Sequence, residues 1–115
     1  MSRQMAGIQA WILQRISAVY LALFCPLALV YLLLTPPADY QSWLITVSTP
    51  WVYAGILLCV LALLLHAWVG VRNVVIDYVK PFSVRLIVLL LVGGALILTG
   101  IWVVAILPPP LFAFL

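Results

Sequence analysis

The chain has 115 residues, 69% hydrophobic and only 6% charged, with a net charge of +3. A soluble domain carries about 25% charged residues, so this composition belongs to an integral membrane protein and excludes a soluble enzyme with a water-filled site. The length allows one domain, residues 1–115, and the basic residues sit at the ends of apolar spans, which does not point to nucleic acid.

Residues 1–15 are mixed: Arg3 and Arg15 bracket Met5, Ile8, Trp11 and Ile12. Apolar residues at three- and four-residue spacing suit a short helix lying in the membrane interface. A secretory signal is disfavoured by the long apolar run that follows and by the lack of a small-residue cleavage motif. Residues 16–34 carry no charge and are long enough to cross a hydrocarbon core of about 30 Å. Pro26 is expected to kink this helix and free the carbonyl of Ala22, and Pro36-Pro37 ends it. Residues 35–50 read as a loop holding Asp39, with Tyr40 and Trp43 as interface anchors. Thr49-Pro50 then gives a capping hydroxyl followed by proline at the first helical position.

Residues 51–71 form the second span, with His66 its only basic or acidic residue. Arg72, Asp77, Lys80 and Arg85 follow, and Pro81 opens the third helix, whose span is 86–107. Gly93 and Gly100 share a face of it that allows close approach of another helix. Pro108-Pro109-Pro110 stops it. The fold class is thus all-α, with three transmembrane helices. Arg3, Arg15, Arg72, Lys80 and Arg85 all fall on one side, so the positive-inside rule puts the N-terminus in the cytoplasm and the C-terminus outside. Three helices enclose no large cavity, and partner subunits are expected in the surrounding lipid.

An imidazole inside a hydrocarbon span is costly and marks a functional candidate. If the second helix continues past Val71, then Cys59, His66, Gly70, Asn73 and Asp77 share a face, because offsets of 4, 7 and 11 residues return to one direction. That face should meet protein or cofactor. His66 has three uses open to it: haem ligand, proton relay or interhelical hydrogen bond. Asp77 near a helix C-terminus needs an offsetting cation, with Arg72, Lys80 and Arg85 as candidates, or else a role in proton delivery. The phenol of Tyr78 can donate to a carbonyl oxygen. Cys25 and Cys59 read as packed thiols. With no second histidine and no CxxC, the chain supplies neither both axial histidines of a haem nor a His/Cys metal cluster.

His66-Ala67-Trp68-Val69-Gly70 followed by Asp77-Tyr78-Val79-Lys80-Pro81 resembles the hydrophobic membrane anchor subunit of bacterial succinate dehydrogenase, respiratory complex II. Chain length, three spans and Arg15 within Gln14-Arg15-Ile16-Ser17-Ala18 agree with that plan. The resemblance implies an inner-membrane complex of four subunits. A flavoprotein with FAD and an iron–sulfur protein sit on the cytoplasmic face, held by this chain and a second membrane cytochrome b subunit. It implies a haem b between the two membrane chains, with His66 as one axial ligand to the iron and the other brought by the partner. Ubiquinone is then the electron acceptor, with Tyr78 as its hydrogen-bond donor, Asp77 shaping the pocket, and Arg15 near the haem propionates or the quinone. A trimer of such heterotetramers is left open. The sequence departs from the pattern at Arg72-Asn73, where an apolar or aromatic residue and a neutral polar one are expected; Arg72 there pairs with Asp77 or with a propionate. The N-terminal arm is also short.

Three competitors are weighed against this reading. A fumarate reductase anchor has related architecture and differs in haem content and quinone type. A small multidrug transporter needs an acid within a span and a fourth helix, and both are missing from the sequence pattern. A purely structural anchor gives no reason for a histidine within the bilayer.

Overall fold

The structure, a computed structural model, describes residues 3–108. Four helices follow in order: α1 (Arg3–Leu34), α2 (Tyr40–Ser48), α3 (Pro50–Tyr78) and α4 (Phe82–Ile106). Three of them, over Gly7–Leu34, Pro50–Tyr78 and Phe82–Ile106, are long and apolar enough to cross a membrane. Among the described residues there is no strand. The long dimension is 52 Å, well beyond a hydrocarbon core of about 30 Å, so the helix ends reach through the headgroup layers.

α3 lies in the middle and packs against both α1 and α4. On one side, Gln14, Ser17 and Cys25 of α1 meet Gly70, His66 and Cys59 of α3, so the two helices run antiparallel. On the other, Gly93 and Gly100 of α4 meet Trp68 and Leu64 of α3. The glycine face expected to receive another helix therefore receives α3 of the same chain. A Cβ on Gly100 would stand 2.9 Å from Leu64 Cδ1, and one on Gly93 3.4 Å from Trp68 Cζ3. The α1–α3 seam is tightest at Gly55, where a Cβ would lie 2.9 Å from Phe24 Cε2. Phe24 stacks on Tyr20 at 5.5 Å, and the Tyr20 hydroxyl donates to the Gly55 carbonyl at 2.7 Å.

Several elements differ from the sequence expectation. The N-terminal segment is not a separate interface helix; it continues unbroken into the first span, since no residue between Trp11 and Ile16 stops a helix. Pro26 lies inside α1, which is helical on both sides of it, as a proline bend allows. Residues 35–50 contain a helix, α2, in place of a plain loop. The signal was present: Asp39 is its N-cap and accepts the Ser42 backbone N–H at 2.8 Å, as a capping carboxylate should. That bond holds the Asp39 carboxyl below its ordinary range. Its support for α2 is thus present above the usual carboxylate pKa and is lost as pH falls through the lowered value. Thr49 stands at the N-cap of α3 with Pro50 first in the helix, but its hydroxyl donates back to Ile45 O at 2.9 Å and leaves the α3 end without a side-chain cap. α3 does continue past Val71, to Tyr78, which makes the polar face of that helix real.

Candidate functional site

The expected stripe on α3 splits in two. Its inner part, Cys59, His66 and Gly70, lies along the α1–α3 seam. His66 Nδ1 stands 3.2 Å from the hydroxyl of Ser17, which itself donates to the Gln14 carbonyl at 3.0 Å. Ser17 is 5% exposed, one of the few buried side chains, because it sits where two helices close on each other. Among the described residues, the other ring nitrogen of His66, Nε2, makes no hydrogen bond. Cys25 Sγ and Cys59 Sγ are 4.0 Å apart and both thiols are free; Cys25 is exposed and Cys59 half-buried, so within this chain Cys25 is not the packed thiol the sequence suggests.

Gln14 flanks the histidine seam. Its Oε1 is buried and has no hydrogen-bond partner, although such groups are nearly always satisfied. Its Nε2 lies 3.7 Å from where a Cβ on Gly70 would stand. An alanine at Gly70 would therefore fit within this chain.

The outer part of the stripe, Asn73 and Asp77, is exposed, as is Tyr78 at 79%. Asp77 forms no ion pair among the described residues, so the expected pairing with Arg72, Lys80 or Arg85 is not made. Arg85 does a different job. Its Nε donates to Val79 O and its Nη2 to Ile76 O, both at 3.1 Å. The guanidinium thus satisfies carbonyls left open at the end of α3 and offsets the negative end of its dipole. Arg15 lies two residues before Ser17, exposed, with its guanidinium 5.4 Å from the centre of the Trp11 ring, a cation–π contact. Arg72 is half-buried.

Ser17 and Gln14 were not among the candidates read from the sequence, and Arg85 was one only as a partner for Asp77. Gln14 and Ser17 stand three apart on an otherwise apolar helix, and with Tyr20 and Phe24 they trace the face that meets α3. That spacing was the available signal. Nothing in the sequence marks Arg85 as a cap, because the path of residues 79–81 decides it.

Three long apolar helices arranged as two antiparallel pairs around one of them, with little buried and an imidazole part-way along the middle helix, define a multi-pass membrane subunit built to pack with others. The comparisons narrow the class. Residues 1–107 match the family model described as succinate dehydrogenase/fumarate reductase transmembrane subunit. The succinate dehydrogenase hydrophobic membrane anchor subunit of Coxiella burnetii (strain RSA 493 / Nine Mile phase I) is 33% identical over 100 residues, covering 87% of this chain and 85% of that one. The chain belongs to the succinate dehydrogenase/fumarate reductase transmembrane subunit family. It is a membrane anchor subunit of that family, and partner subunits are implied by membership.

Proposed function

We propose that this chain anchors the flavoprotein and iron–sulfur subunits of a succinate:ubiquinone oxidoreductase at the cytoplasmic face of the bacterial inner membrane. In this reading it supplies one axial ligand to haem b, through His66, and one wall of the ubiquinone site, through Tyr78 and Asp77. The relative from Coxiella burnetii bears a succinate dehydrogenase name, which favours succinate oxidation over the fumarate-reducing direction that the family description also covers.

The observation that carries the haem reading is the state of His66. One ring nitrogen is engaged with Ser17 at 3.2 Å and the other has no hydrogen bond among the described residues. A metal-bound histidine has this form, one nitrogen held and one lone pair offered. The residues therefore fit the group, with His66 holding the iron and the partner membrane chain bringing the second ligand. Bound there, haem b supplies one-electron chemistry whose potential the ligand and its surroundings tune. The basic residues Arg15 and Arg72, near the same end of the helices, suit its propionates.

At the end of α3 the exposed Tyr78 hydroxyl is free to donate to a quinone carbonyl oxygen. The Asp77 carboxylate beside it is free to accept a proton and pass it on, and quinone reduction consumes two protons with its two electrons. Arg85, by fixing the carbonyls of Ile76 and Val79 on either side, holds this pair in place.

The test is a dithionite-reduced minus oxidised spectrum of the complex copurified through this chain, beside the same preparation carrying His66→Ala. A b-type signal lost or displaced in the variant is expected. An unaltered signal, or none in either preparation with the partner subunits still bound, would overturn the ligand assignment.

A further inference from the structure

We infer that Ser17 is a positioning residue for His66: its hydroxyl accepts the Nδ1 proton and so locks the imidazole in the Nδ1–H tautomer, with the Nε2 lone pair directed to a ligand from outside the chain. The argument is one of counting protons. Ser17 Oγ lies 3.0 Å from the Gln14 carbonyl oxygen. A carbonyl only accepts, and a hydroxyl has one proton, so that proton is committed to Gln14. The same Oγ lies 3.2 Å from His66 Nδ1, within the range of an N–H···O bond. With its own proton engaged, the oxygen can only accept there, and Nδ1 must carry the hydrogen.

The surroundings make the assignment firm. Ser17 is 5% exposed, so water is not at hand to replace either partner, and a buried polar group left unpaired is costly. The bond to the residue three positions back fixes the rotamer of Ser17, and the bond across the seam fixes the ring. Free imidazole in water favours the opposite tautomer, with Nε2 protonated, which has no lone pair there to give. The hydroxyl thus converts the histidine into the form a metal requires.

This deepens the haem reading and rests on it for what fills Nε2, but the tautomer itself is measurable without haem. The full chain, purified with a tag free of histidine and labelled with ¹⁵N,¹³C-histidine, is placed in lipid nanodiscs. His66 then gives the only imidazole signals in the spectrum, and its two nitrogens and Cδ2 report the tautomer. The expected result is a protonated Nδ1 in the natural chain, a shift toward protonated Nε2 in Ser17→Ala, and recovery of the natural pattern in Ser17→Thr. A protonated Nε2 in the natural chain overturns the inference without any variant, and so does a Ser17→Ala spectrum identical to the natural one.

A second readout uses the copurified complex. An N–H···O bond from the ligating imidazole raises its basicity and favours the oxidised metal. Ser17→Ala should therefore raise the midpoint potential of the b-type signal, and Ser17→Thr should restore it. An unchanged potential with the signal present would overturn the role of Ser17 toward the metal. A natural complex with no b-type signal would sink the proposed function instead, and the nanodisc spectra would still decide the tautomer.

Discussion

At the scale of single residues, charge near the membrane surface is read more easily as presence than as partnership. Asp77 at the end of α3 called for a cation, and Arg85 is the cation that comes, but it bonds the carbonyls of Ile76 and Val79 rather than the carboxylate. The carbonyls are orphaned by the end of the helix and lie in the path of the guanidinium, whereas the carboxylate is exposed and already solvated. Arg85→Ala should destabilise the chain by about 1.5–3 kcal/mol, the range for a hydrogen bond to a charged donor. Arg85→Lys should recover only part of this, because an ammonium cannot reach both carbonyls as a planar fork does. Denaturation in mixed detergent micelles measures both. His66 stood out in the sequence because an imidazole within a span has a large penalty to explain. Ser17 was not, since a serine bonding back to its own helix is commonplace and only the antiparallel seam brings it to the ring.

At the scale of elements, the three spans were legible from uncharged length and the turn residues that bound them. The missed element, α2, is short and follows directly on the Pro36-Pro37 break, so its Asp39 cap has no long apolar run behind it to mark a helix. Register between helices was the least legible feature, because it depends on which small residues face which large ones. Gly55 and Gly94 show the contrast. Added bulk at Gly55 must displace Phe24, which is stacked on a Tyr20 tied back to the Gly55 carbonyl. Nothing lies within 4 Å of a Cβ on Gly94. Gly55→Ala is thus expected to cost about 1–3 kcal/mol, as overpacking does, and Gly94→Ala to stay within about 0.5 kcal/mol in the isolated chain. The same micelle titration separates the two, and equal effects would contradict this seam.

At the scale of the whole molecule, most of the helical surface is unburied. Among the described residues the buried apolar side chains are Val47, Val69 and Val75, so most of the apolar surface is left for lipid and partner chains. The antiparallel pairing places Arg15, Arg72, Lys80 and Arg85 toward one end, the end that the positive-inside rule would turn to the cytoplasm. In a background with Cys25 and Cys59 replaced by serine, Ala38→Cys should react with a membrane-impermeant maleimide in intact spheroplasts. Ser83→Cys should react only after permeabilisation, and the reverse pattern would invert the proposed orientation.

The contact between Ser17 and His66 also has a place in time. The two residues are 49 apart in sequence, and at about 5–20 residues per second that stretch takes roughly 2–10 s to synthesise. Ser17 is therefore made seconds before the histidine. An imidazole entering lipid after the first span would find that hydroxyl already in place, and a nascent chain whose first span inserted the other way round would leave that nitrogen unanswered.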